Sequence, residues 1–323
     1  MKRKTLLSIT SLMLGASVLT ACTSTSQKVS FSPYWYKTYN VAPETTLEQL
    51  VYDVSFQAGD GLSNDYTVDY NGTYTTTLTT KTDENGNALY RYETSLVMDV
   101  SYTTNNGTET RQDTLTSYVE FAQTTSLTPT VSHKEFVCHS PINGSISSVD
   151  SLIHDYSVHT TYNSACDGGT SVLTNRSKTE DNETTQTFEI ETKKYTYLDN
   201  EQLLFALRGV NPSTYSAPSF LVYAPFTNDV QGITTSFGTK VEGTEFSFKK
   251  DDETEKTKRA VNYYPVTVAI DSSSPGASQT IWIAETVSAT ANDYRNVILR
   301  MECPVSYNLG TLVYELVSAD FAD

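Results

Sequence analysis

The sequence predicts a mainly β protein: a large curved antiparallel sheet, an unclosed barrel, packed on one short helix at about residues 199–209. Three observations predict it. Tyr, with 22 residues, and Thr dominate while Ala and Leu are few, a composition that suits strands. Apolar and polar residues alternate with period 2 in segment after segment. One stretch alone, LDNEQLLFALRGV from Leu198 to Val210, carries helical spacing with start and stop signals of its own.

The strands follow in order. Leu50, Tyr52, Val54, Phe56 and Ala58 alternate with Val51, Asp53, Ser55 and Gln57, giving one dry face and one mostly wet face. Asn71-Gly72 predicts a hairpin between YTVDY and TYTTTLTTK. DENGN (83–87) predicts the next turn. Tyr90, Tyr92, Leu96, Met98, Val100 and Tyr102 then share one parity, and Asn105-Asn106-Gly107 turns the chain into 111–123. Residues 130–139 and 155–163 continue less cleanly; 178–185 reads as a charged loop, and Phe188 and Ile190 restart a strand toward Tyr195 and Tyr197. Beyond the helix come Phe246 and Phe248, a solvated hairpin tip at 251–259, and Tyr264, Val266, Val268 and Ile270 on one face. Ile281 and Ile283 follow, then Val297, Leu299, Met301 and Cys303, then Leu312, Tyr314 and Leu316. No linker divides the chain, so 44–323 is predicted to be a single β-rich half-barrel domain of about a dozen strands, wide enough that it must curl or split.

Asp199 is the predicted N-cap of the helix, with Gln202 three residues on as in a capping box. Arg208 suits the last turn and Gly209 the C′ position. Leu203, Leu204, Ala206 and Leu207 cover one broad face, and Phe205 projects from the other. A helix of about ten residues is too short to be stable alone, so the dry face of the sheet must receive it. Phe205 then requires a loop, a rim or a ligand as its own neighbour. Leu203, Leu204, Phe205 and Leu207 are the expected ligand-lining residues.

The N-terminus supplies an address. Lys2, Arg3 and Lys4 precede an apolar run, Thr5 to Val18, too short to span a bilayer. Leu19-Thr20-Ala21-Cys22 follows and resembles the lipobox of bacterial lipoproteins. That resemblance implies removal of residues 1–21 as a signal peptide and lipidation of Cys22, where two acyl chains hold stably and one would not. Residues 22–43 are expected to hold the lipidated Cys and a tether. The expected location is the bacterial membrane or envelope, outside the cytoplasm.

Removing Lys2, Arg3 and Lys4 with that leader leaves 19 Lys and Arg against 38 Asp and Glu, a net charge of −19. Such a surface repels phosphate backbones, which excludes nucleic acid as a partner. It also disfavours lying flat on anionic lipid, so the acyl anchor carries the membrane attachment.

Wide meander, short buried helix, return strands and lipobox together resemble the lipoprotein localisation factors of the LolA/LolB type, unclosed barrels that bind acyl chains around helices. The C-terminal stretch WIAETVSATANDYRNVILRMECPVSYNLGTLVYEL is similar to the closing strands of exported half-barrel proteins. This chain is longer and has one helix in place of a set of apolar lid helices, so no functional residue is carried over.

Chemistry-bearing motifs are sparse. His133, Cys138, His139, His154, His159 and Cys166 fall in one window, but His154 and His159 are five apart and no C-x-x-C or H-x-x-x-H pair exists, so no metal is assigned. Cys138 and Cys166 form the candidate disulfide, and Cys303 a core thiol. Ser247-Phe248-Lys249-Lys250 contains S-x-x-K, on a strand that separates its ends. Asp60 to Asp65 is oxygen-rich but lacks the acid spacing of a calcium loop. FSPYWYKTY (31–39) reads as an aromatic run packing where the chain enters the domain. No catalytic set and no cofactor are assigned. The expected function is a non-catalytic, membrane-anchored binding protein with an apolar or amphipathic ligand in the concave face. The other expectation is a surface scaffold contacting protein or glycan, its core filled by the helix.

Overall fold

The computed structural model describes residues 28–32, 42–60, 66–104, 107–139, 153–177, 182–192, 194–270, 278–285, 295–305 and 310–322. Long strands dominate: Thr46–Ala58 (β1), Tyr66–Thr82 (β2), Ala88–Thr104 (β3), Gly107–Ala122 (β4), Pro129–His139 (β5), Ile153–Tyr162 (β6), Gly168–Asn175 (β7) and Asn182–Glu189 (β8). A two-residue strand, Thr196–Tyr197 (β9), leads into a 3₁₀ turn at Asn200–Gln202 and an α-helix at Leu203–Leu207 (α1). The return strands are Ser219–Ala224 (β10), Asp229–Phe237 (β11), Val241–Lys250 (β12), Thr257–Ile270 (β13), Gln279–Ala284 (β14), Ile298–Val305 (β15) and Gly310–Phe321 (β16).

These strands form one sheet in the order β8-β7-β6-β5-β4-β3-β2-β1-β16-β15-β14-β13-β11-β10-β9, with β12 pairing both β13 and β16. Neighbours are antiparallel apart from two short contacts, β9 with β10 and β12 with β16. The sheet curls until its ends meet by side chains: Phe188 of β8 stacks on Tyr223 of β10 at 3.9 Å, and the Tyr223 hydroxyl donates to Gln186 Oε1 at 2.7 Å. The barrel is therefore closed at this seam by rings and hydroxyls, while β8 and β9 end the hydrogen-bonded path.

The predicted parities hold. Tyr90, Tyr92, Leu96, Met98, Val100 and Tyr102 are all buried on the inner face, as are Leu50, Tyr52 and Val54. Cys303 packs against the same core without a disulfide.

Three expectations change. Asn71-Gly72 is not a turn: β2 runs straight through it, with Gly72 opposite Met98. A Cβ on Gly72 would lie 2.5 Å from the Val97 carbonyl oxygen, so this glycine permits close strand approach. Residues 182–185, expected in a loop, begin β8. Gly209 lacks the left-handed backbone expected of a C′ glycine. Its missing side chain instead makes room for the N-terminal segment, since a Cβ there would meet Phe31 at 3.2 Å. Residues 29–32 also pack against the core. Val29 and Phe31 are buried, Phe31 stacks on Phe220, and Ser32 N–H donates to the Gly209 carbonyl at 2.7 Å. The leader, Cys22, residues 33–41 and the calcium-loop candidate at 61–65 lie outside the described residues.

Candidate functional site

The helix sits inside the barrel. Asp199 caps it, its Oδ1 accepting from Glu201 N–H at 2.8 Å, and the Gln202 side chain reaches back to the Asp199 N–H to complete the predicted capping box. Leu203, Phe205 and Leu207 are 0% exposed and Leu204 7%. All four predicted ligand-lining residues thus converge in the main core. Phe205 finds its neighbours in the sheet, with ring centroids 5.2 Å from Tyr92 and 5.0 Å from Phe121. The helix is covered on both faces because the sheet wraps round it.

Two charged contacts tie the plug to the wall. Arg208, 1% exposed, makes a two-pronged pair with Glu48, 3% exposed, at 2.7 and 2.6 Å. Its guanidinium also donates to the carbonyls of Asn296 and Arg295. Burial works against the charge, but the Glu48 carboxylate beside it raises the Arg208 pKa, so the guanidinium stays charged. Glu201 meets Lys134 of β5 at 3.0 Å. Burial alone would push Glu201 up; the Lys134 ammonium and hydrogen bonds from Lys134, Ser117 and Asn200 hold it below the usual carboxylate range.

At the seam, the Asp199 carboxylate also accepts from Ser132 Oγ at 2.6 Å and from the Tyr162 hydroxyl at 2.5 Å, and Tyr162 meets Tyr197 at 2.9 Å. Burial, then the nearby Glu201 charge, raises the Asp199 pKa despite those bonds. These buried groups find partners, so the network reads as a structural clasp joining β5, β6 and β9 to the helix cap.

Cys138 and Cys166 do not form the expected disulfide. The Cys166 thiol lies 3.8 Å from the carbonyl of Pro129, the first residue of β5, whereas Cys138 is nine residues further along that strand. At about 3.3 Å per residue that is about 30 Å, far beyond the reach of a disulfide. Spacing in sequence did not reveal that β5 runs between them. Cys138 instead stands opposite His154 of β6 on the inner face, and Asp113 of β4 lies one step beyond the Thr114–Val137 pair, flanking the thiol on its other side. All three are buried. The thiol occupies the middle of this row; in a nucleophilic triad the imidazole does. Among the described residues no three His, Cys, Asp or Glu converge as metal ligands.

An accessible concavity among the described residues lies on the outside. A groove of about 400 Å³ lies over β2 to β5, lined among others by Thr75, Thr77, Arg91, Glu93, Ser95, Thr116, Tyr118 and His133. Register explains the lining. Thr77, Glu93, Tyr118, His133 and His159 form one cross-strand row, and Thr75, Ser95 and Thr116 the next. The Arg91 guanidinium lies 3.7 Å from the Tyr118 ring centroid and pairs with Glu93 at 2.9 Å and Glu120 at 3.1 Å. Tyr118 and His133 rings are 5.7 Å apart, His133 and His159 5.8 Å. Burial, then the neighbouring His133, lowers the His159 pKa. Sequence reading missed this surface, because its polar residues lie far apart in the chain and read singly as wet-face positions.

No helix among the described residues is long and apolar enough to cross a membrane. No protein-family model and no curated protein matches the chain. Among solved structures it is similar to a β-barrel-like protein of a domain of unknown function, DUF1849, from Brucella abortus. That likeness has 11% identity and a TM-score of 0.50 and covers 87% of this chain and 99% of the other, so the chain shares a barrel-type fold with it.

Proposed function

We propose that this protein is a lipid-anchored, extracytoplasmic, non-catalytic binding protein whose barrel is plugged by its own helix and whose partner is met on the outer polar face. The supporting observation is the complete burial of Phe205 between Tyr92 and Phe121. An acyl chain held beside the helix, as the localisation-factor resemblance implies, would have to displace those rings. The anchor rests on the lipobox-like Leu19-Thr20-Ala21-Cys22. Lys28, at the edge of the packed Val29–Phe31 segment, lies six positions after Cys22, which limits the span to about 20 Å. On this reading the barrel is held close to the bilayer surface.

The test has two arms. Palmitate labelling of cells producing the full-length chain is expected to mark the protein and to vanish in Cys22→Ala; unlabelled wild-type protein overturns the anchor. Organic extracts of the purified domain are expected to contain no stoichiometric lipid by mass spectrometry. An equimolar lipid that survives purification overturns the plug and restores an apolar carrier.

A further inference from the structure

We propose that the outer groove over β2 to β5 binds a neutral glycan chain. The inference rests on the outward-facing reading above and names the chemistry of that face. Its volume, about 400 Å³, falls within the ~300–1,000 Å³ typical of small-ligand sites. Hydroxyls line it: Thr75, Thr77, Ser95 and Thr116 each donate and accept, the capability that a chain of sugar hydroxyls requires in return. Within each row, neighbours on adjacent strands are about 4.8 Å apart, and the two rows are about 6.8 Å apart along the strands, so polar groups recur over the groove at regular steps.

Charge decides against an anionic ligand. Arg91 is the guanidinium of the groove, and it is already matched by two carboxylates, Glu93 and Glu120, on a chain of net charge −16. What that arrangement offers is directional and fixed. Stacking on Tyr118 holds the guanidinium plane, and the bonds to Nε and Nη1 use one oxygen of each carboxylate. Glu93 belongs to the groove lining and its side chain is 44% exposed, so its carboxylate offers acceptor capacity to a vicinal diol.

An apolar ligand is disfavoured by the hydroxyl floor, yet the surface beside the groove is not uniformly polar. One row beyond Thr75, Ser95 and Thr116 comes Val97, whose 46% exposure is high for a large apolar side chain in this fold. A pyranose presents C–H faces as well as hydroxyls. A surface of hydroxyls, one planar ion-paired clamp and one open valine matches that mixture better than it matches lipid or a polyanion.

The experiment is calorimetric titration of the purified domain with cellohexaose, maltohexaose and chitohexaose, with polygalacturonate as an anionic arm. At least one neutral oligosaccharide is expected to bind, in the micromolar to millimolar range. Tyr118→Ala and Glu93→Gln are each expected to weaken it by at least about tenfold. Val241→Ala, at an exposed valine outside the groove lining, is the control and should leave it unchanged. Glu93→Gln keeps shape and size, so a folding defect in Tyr118→Ala does not remove the test. Absence of binding by all three neutral chains at millimolar concentration overturns the proposal, as does tighter binding of polygalacturonate or indifference to both groove variants. These outcomes stand apart from the lipid-extraction result, which bears on the plugged barrel alone.

Discussion

Truncation of Phe205 tests the plug most directly. The side chain is 0% exposed and packs on Tyr92 at 5.2 Å and Phe121 at 5.0 Å between ring centroids. Phe205→Ala removes a ring from a site with no route to collapse, because the helix is capped at Asp199 and clamped by the Arg208–Glu48 pair. Buried Phe→Ala changes cost about 3–5 kcal/mol, and lost aromatic pairing favours the upper half of that range. We expect about 4 kcal/mol, or a fall in Tm of about 8 °C at roughly 2 °C per kcal/mol for a domain of this size. Calorimetry or circular-dichroism melts of wild type and variant give the number. The cavity left is apolar and walled by rings, so benzene should restore part of the loss in the variant and do nothing for wild type. A cost below about 1 kcal/mol, or wild-type protein stabilised by benzene, would refute the argument, since space beside the helix would then already be open.

Other predictions concern the remaining buried groups. Arg208→Met or Glu48→Leu alone should cost about 3–5 kcal/mol by stranding a buried charge, and the double variant much less than the sum; additive costs in denaturant titrations would mean that the two groups do not interact. The lowered pKa of His159 means the unfolded chain binds more protons below about pH 6.5, so stability should fall as pH drops through that value and level off below the folded pKa. Urea midpoints across that range should slope less in His159→Gln, and an unchanged slope assigns the effect elsewhere. Reductant should leave Tm unchanged, and alkylation of unfolded protein should label Cys138 and Cys166 with no prior reduction; a disulfide-linked peptide would contradict the strand geometry. Gly72→Ala should cost about 1–3 kcal/mol by forcing β2 away from β3, whereas a glycine in an exposed turn would tolerate the change better.

Much of this fold was legible in the chain, for a local reason. Strand parity and helix capping depend on residues two to four positions apart, so the inner face of β3 and the Asp199–Gln202 box could be read from spacing alone. Asn71-Gly72 shows the limit. The dipeptide permits a hairpin, but whether the chain turns or runs on depends on the partner strand, and Met98 lies 26 residues away.

The sequence by itself determined that this is a β protein with one short, capped helix that must be buried. Tertiary structure alone decided how. The curl of the sheet surrounds Phe205, which helical periodicity had placed on an uncovered side. It takes Arg208, at the C-cap of the helix, to Glu48, 160 positions earlier. It separates Cys138 from Cys166 by most of β5 and assembles Glu93, Tyr118 and His133 into one outer row. Each of these depends on register and closure between distant strands, and those are set by the packing of the whole sheet around its core, which no short window of residues encodes.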